Sequence, residues 1–219
     1  MYIPASNAEH RPGAMFDYMA AHPLATLVTS SGEGMIATHL PLLVDRTRGA
    51  HGTLAGHIAR ANPQQRQARD GDEALVIFSG HDTYITPAFY PSKARDGKVV
   101  PTWNYATVHA YGPLRAIEDA AWLRRFVEQL TDRHEAELPQ APGGVPWKVG
   151  DAPEGFIDGL LKAIVGIEIP LTRIEGKWKV SQNRPSEDRA GVVAGLVKAG
   201  GPSRHAMAEL VRDRGRDRG

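Results

Sequence analysis

Three short segments gather side chains able to do chemistry. In residues 176–183 (Gly-Lys-Trp-Lys-Val-Ser-Gln-Asn), Lys179, Ser181 and Asn183 recur at every second position. On a strand, that spacing puts a cation, a hydroxyl and an amide on one face. Such a row can hold a phosphate or the polar edge of a ring, although Lys179 taken alone reads equally as part of a solvated face. In residues 56–63 (Gly-His-Ile-Ala-Arg-Ala-Asn-Pro), Arg60 is either a surface residue of a short helix or a forked phosphate donor. Residues 35–41 (Met-Ile-Ala-Thr-His-Leu-Pro) bring Thr38 and His39 to a strand end.

A fourth segment supplies rings. From Trp103 to Tyr111, Trp103, Tyr105, Thr107, His109 and Tyr111 alternate with Asn104, Ala106, Val108 and Ala110. A period of two places the rows on opposite faces of a strand. The small row can press on a core; the ringed row suits a flat ligand or another subunit.

The elements that must position these residues are mostly short strands. Strands are predicted at 24–30, 35–44, 52–57, 73–79 with an extension over 83–86 beyond a break at Gly80, 103–111, 164–174 and 177–183. Pro41 cannot donate to a ladder, so its strand is an edge strand or is bulged. Ser31-Gly32-Glu33-Gly34 is turn chemistry. The run Leu75-Val76-Ile77-Phe78 is typical of a strand buried on both faces. Helices are predicted at 13–21, 58–68, 118 to about 137, 154–163, 186–198 and 203–212, with a loop over 139–151 and a polar excursion over 90–98. Hairpin-spaced strands with few helices between them suggest a small antiparallel barrel, mainly β with flanking helices. No linker or repeat is visible. A single domain over 1–212 is expected, followed by a disordered tail at 213–219.

Composition closes off several function classes. The chain of 219 residues has no cysteine, which excludes disulfides, zinc-thiolate sites and thiol nucleophiles. A P-loop, a Gly-x-Gly-x-x-Gly unit, a His-Glu-x-x-His pair and a Gly-x-Ser-x-Gly elbow are all absent. The nine histidines are scattered without metal spacing, so no metal is expected. A net charge of +1 argues against a chain-wide nucleic-acid field. No apolar run spans a bilayer and no signal segment opens the chain, so it reads as a cytoplasmic protein without membrane contact.

Longer words carry a family resemblance. They are Met1-Tyr2-Ile3-Pro4, the 37–41 and 56–63 segments, Val100-Pro101-Thr102-Trp103-Asn104-Tyr105, Val108-His109-Ala110-Tyr111-Gly112, Val165-Gly166-Ile167-Glu168-Ile169 and the 176–183 segment, in order over residues 1 to about 197. Together they resemble the PaiB-type family, the FMN-binding negative transcriptional regulators. The resemblance implies an antiparallel FMN-binding split β-barrel and a homodimer with flavin between subunits. It implies FMN contacts at Thr38, His39, His57, Arg60, Trp103, Asn104, Tyr105, Trp178, Lys179, Gln182 and Asn183, with no catalytic residue assigned. A more distant similarity to pyridoxamine-phosphate oxidases opens a flavin-dependent oxidoreductase reading, and haem handling is a further alternative within this fold. DNA contact is implied by the regulator class, yet no helix-turn-helix word or concentrated basic stripe precedes the tail.

Overall fold

In the computed structural model, residues 1–31, 34–67, 71–138 and 144–216 are described. In chain order the strands are β1 (Ala8–Glu9), β2 (Leu24–Ser31), β3 (Gly34–Pro41), β4 (Leu43–Asp45), β5 (Thr53–Ala59), β6 (Glu73–Ile85), β7 (Thr102–Pro113), β8 (Arg115–Ile117), β9 (Ile164–Pro170) and β10 (Arg173–Lys179). The helices are α1 (Pro12–Ala21), α2 (Pro63–Gln67), α3 (Lys93–Asp96), α4 (Ala120–Glu137), α5 (Phe156–Leu161), α6 (Ser186–Ala199) and α7 (Pro202–Arg216), with short 3₁₀ turns at Ala5–Asn7, Pro87–Phe89 and Val149–Asp151. The class is the expected one, mainly antiparallel β with flanking helices.

The chain divides into two compact units. The first comprises Met1–Tyr18, Phe78–His109 and the chain from Glu175 on; the second comprises Met19–Ile77 and Ala110–Ile174. In the second unit, β4, β5, β9 and β8 form an antiparallel sheet in that order, with Leu43 opposite Ala55, Gly56 opposite Ile167 and Ala116 opposite Ile167. There β3 pairs with β2, which pairs with the first part of β6. Pro41 closes β3, an edge strand, and Leu42 separates it from β4, as a residue without an N–H requires. In the first unit the order is β1, β10, β7, β6, and β1 runs antiparallel to β10.

Alternation decides what each strand buries. On β7, Asn104, Ala106, Val108 and Ala110 are buried while Tyr105, His109 and Tyr111 are half-buried and Trp103 is exposed. Thr107 departs from its row: it is buried, and its hydroxyl donates to the Phe78 carbonyl at 2.9 Å. The apolar run on β6 also alternates, with Ala74, Val76 and Phe78 fully buried and Leu75 and Ile77 half-buried, in place of burial on both faces.

Several boundaries differ from expectation. β6 continues through Gly80 without a break. Ile58 and Ala59 complete β5, so the helix begins only at Pro63, where the Asn62 side chain accepts the Gln64 N–H at 2.9 Å. The strand expected over 164–174 ends at Pro170, and β8 is too short to show a period. The last strand ends at Lys179, not Asn183. α7 runs to Arg216, past the start of the expected disorder at 213, and Arg214 pairs with the buried Glu9. The glycine turn at 32–33, the first part of the 139–151 loop and residues 217–219 lie outside the described residues.

Candidate functional site

The early end of β10 rearranges the predicted 176–183 row. Ser181 has φ +62°, a left-handed conformation that takes the chain out of the strand. Lys179, Ser181 and Asn183 therefore do not share a strand face. Ser181 is buried, and the Asn104 amide donates to its hydroxyl at 2.9 Å. Gln182 is buried too, and its amide is spent on the turn. Oε1 accepts the Val180 N–H at 2.8 Å, while Nε2 donates to the Ser6 carbonyl at 3.0 Å and to the Trp178 carbonyl. Asn183 alone of the row is exposed beyond Lys179.

Trp178 faces inward. Its ring lies 5.1 Å from that of Tyr18, and the Arg214 guanidinium sits 5.6 Å from its centre. The Tyr18 hydroxyl donates to the Ala106 carbonyl at 2.6 Å, and burial pushes its pKa up to about 12.

Lys179 itself stays half-buried on β10 in the first unit. Its ammonium donates to the Trp103 carbonyl at 2.6 Å and to the Thr102 hydroxyl. It lies 6.0 Å from the Tyr105 ring centre, with Lys177 at 5.3 Å from the same ring. Burial, together with the like charge of Lys177, pushes the Lys179 pKa below the ordinary lysine value, against a smaller opposing effect of Tyr105. Trp103 is 55% exposed and meets Tyr84 edge-on, centroids 6.1 Å apart. The structure thus brings together Trp103, Tyr105 and Lys179 as two ring faces and a directed cation. Thr102, Lys177 and Tyr84 were not foreseen; Lys177 shared the segment but sits two residues before Lys179, on the same strand face.

The second unit holds the remaining predicted residues. The Asn62 amide donates to the Thr38 hydroxyl at 2.9 Å, and the same asparagine caps α2. That Asn-Pro pair was a legible helix-start signal. His39 shares a 2.9 Å hydrogen bond with Thr26 across the β2–β3 pair. His57 packs edge-on against Phe126, centroids 5.8 Å apart. Its Nδ1 is buried without a partner among the described residues, and burial lowers its pKa. Arg60 is committed locally: Nε donates to the Lys162 carbonyl at 3.0 Å, Nη2 to that of Ile164 at 3.1 Å, and Nη1 lies 2.7 Å from Glu118. Two of its five N–H groups are left over. Among the described residues, no cluster of His, Asp or Glu forms a metal site, and no helix is long and apolar enough to cross a membrane.

Comparison with known proteins identifies the family of the chain. The family model described as "Putative FMN-binding domain" matches residues 1–173. The Bacillus subtilis protein named Protease synthase and sporulation protein PAI 2 is 33% identical, with 98% of each chain covered. An uncharacterized protein of Aspergillus fumigatus is 36% identical, again over 98% of each chain. Among solved structures, the FAD and Heme binding protein from Mycobacterium smegmatis superposes with a TM-score of 0.56 at 17% identity, over 86% of this chain and 80% of that one, a likeness of fold. With the model spanning most of its length and a relative aligned end to end, the chain belongs to the PaiB-like family of FMN-binding domains.

Proposed function

We propose that this chain binds FMN and works as a homodimeric, flavin-responsive regulator. The observation that carries the reading is the family match over residues 1–173. The residues present suit the group. Trp103 and Tyr105 offer ring faces beside the Lys179 ammonium, a donor for the polar edge of a flavin. Thr38, Asn62 and the unpartnered, buried Nδ1 of His57 offer neutral polar atoms. Arg60 reaches a phosphate with its leftover N–H groups or by releasing Glu118. The chain lacks the glycine-rich turn that cradles a dinucleotide, which favours FMN over FAD. Bound flavin supplies redox chemistry that side chains lack. In the dimer, the Trp103 and Lys179 patch of one subunit completes a site opened by Thr38 and Arg60 of the partner subunit. The resemblance of its sequence words to FMN-binding negative regulators favours regulation, with flavin tuning a contact to protein or DNA.

The visible spectrum of freshly purified protein, followed by identification of what heat releases, tests the cofactor. FMN is the expected compound; FAD, haem, or no binding of added FMN would sink the reading. Mixing Arg60→Ala subunits with Lys179→Met subunits should restore one intact site per mixed dimer, so occupancy recovers to about half. Recovery no better than either parent, or a monomer in sedimentation, removes the shared site. Steady turnover with reduced nicotinamides would replace the regulator with an oxidoreductase.

A further inference from the structure

The recess beside α4 involves none of the residues proposed for flavin. It has a volume of about 670 Å³ and lies within the second unit, bordered by α4, β4, β5 and β9. Arg46, Arg48, Arg125 and Arg133 all line it, against Asp45 and Glu168. Such a surplus of guanidinium groups around one recess favours an anionic occupant.

Two of the cations, Arg48 and Arg133, are held by contacts of their side chains. Arg48 grips the buried Glu168 through both terminal nitrogens, at 2.6 and 3.0 Å, which uses two of its five N–H donors and leaves three. The turn that carries Arg46 and Arg48 is tied by Asp45, whose carboxylate accepts the Thr47 N–H at 2.9 Å and the Thr47 hydroxyl at 2.7 Å. Arg133 donates to the Ala20 carbonyl at 2.7 Å. Arg125 is exposed and makes no ion pair among the described residues.

Beside these cations stands a flat wall. Trp122 stacks on Phe126 with centroids 5.3 Å apart and planes 6° from parallel. Trp122, Arg48 and Glu168 line the same recess, and Glu168 fixes the Arg48 fork. Gly166 makes room for the indole: a Cβ there would overlap the Trp122 ring. A stacked ring pair beside an Arg48 fork already fixed by Glu168 is partly prepared, because those groups lose little side-chain freedom on binding.

The geometry points to a second ligand site, for a small planar molecule carrying a phosphate, with its ring along Trp122 and its phosphate among Arg46, Arg48 and Arg125. Calorimetric titration of the whole chain with adenosine monophosphate, adenosine and inorganic phosphate tests it. The monophosphate should bind at least about tenfold more tightly than either fragment, since each fragment makes half of the contacts, and should weaken as salt rises. Arg125→Gln should lower its affinity about tenfold, the loss of one charged hydrogen bond, with thermal unfolding unchanged. Equal affinity for adenosine, no binding of the monophosphate at millimolar concentration, or an unaffected Arg125→Gln variant overturns the site. If FMN displaces the monophosphate one for one and Arg125→Gln loses FMN as well, the recess is the flavin site itself and a second site is overturned.

Discussion

Gln182 spends its side chain on its own turn. One oxygen and one nitrogen together serve Val180, Trp178 and Ser6, all at buried or half-buried positions. Gln182→Ala removes those hydrogen bonds, and a buried polar group that loses its partner costs about 1–3 kcal/mol. The urea midpoint should fall by an amount worth about 2 kcal/mol with the slope unchanged; an unmoved midpoint would mean that water replaces the amide. As residue types, Gln182 and Ser181 resembled ligand donors. Nothing in their spacing reveals that Ser181 takes a positive φ, because that conformation is imposed by where β10 must stop. Lys179, two residues before Ser181, stays half-buried on the strand with its ammonium 6.0 Å from the Tyr105 ring centre.

At the scale of elements, two helical glycines of similar local sequence have opposite meanings. Gly191 in α6 lies against the Phe89 backbone, and a Cβ there would overlap that carbonyl oxygen. Gly159 in α5 has nothing near the position of a Cβ. Alanine is the better helix former by about 1 kcal/mol. Gly159→Ala should therefore stabilise by about 0.5–1 kcal/mol. Gly191→Ala should destabilise by about 1–3 kcal/mol, as forced overpacking does. Thermal unfolding of the pair checks both, and a stabilised Gly191→Ala would show that α6 is free to move from Phe89. Element types were largely legible, since alternation over 102–113 and the Asn-Pro start of α2 are local signals. The ends of β5, β9 and β10 were not, because a strand runs as far as its neighbour pairs with it.

For the molecule as a whole, acid should be a weak point. Each unit buries a carboxylate held by arginine. For Glu9, burial raises the pKa, but the hydrogen bonds of Arg11 and the charges of Arg214 and Arg11 outweigh it, and the net shift is downward. For Glu168, the Arg48 hydrogen bond leads and again the shift is downward. A carboxyl whose folded pKa lies below its unfolded value stabilises the fold fully above about pH 4.5 and loses that contribution as pH falls through the folded value. Stability should thus decline progressively below about pH 4.5, and Glu9→Gln should flatten that decline while lowering stability at neutral pH. An unchanged acid profile in Glu9→Gln would show that other groups govern it. Class, family and a set of candidate rings, amides and cations were legible in the residues themselves, because period, turn chemistry and long motifs are properties of neighbouring residues. Tertiary structure alone decided which of those side chains stay available. Trp178, Asn104 and Gln182 went to the interior, Arg60 to two carbonyls and Glu118, and four arginines from two distant stretches came together beside α4. Each outcome depends on partners far along the chain, whose positions exist only once the sheets have paired.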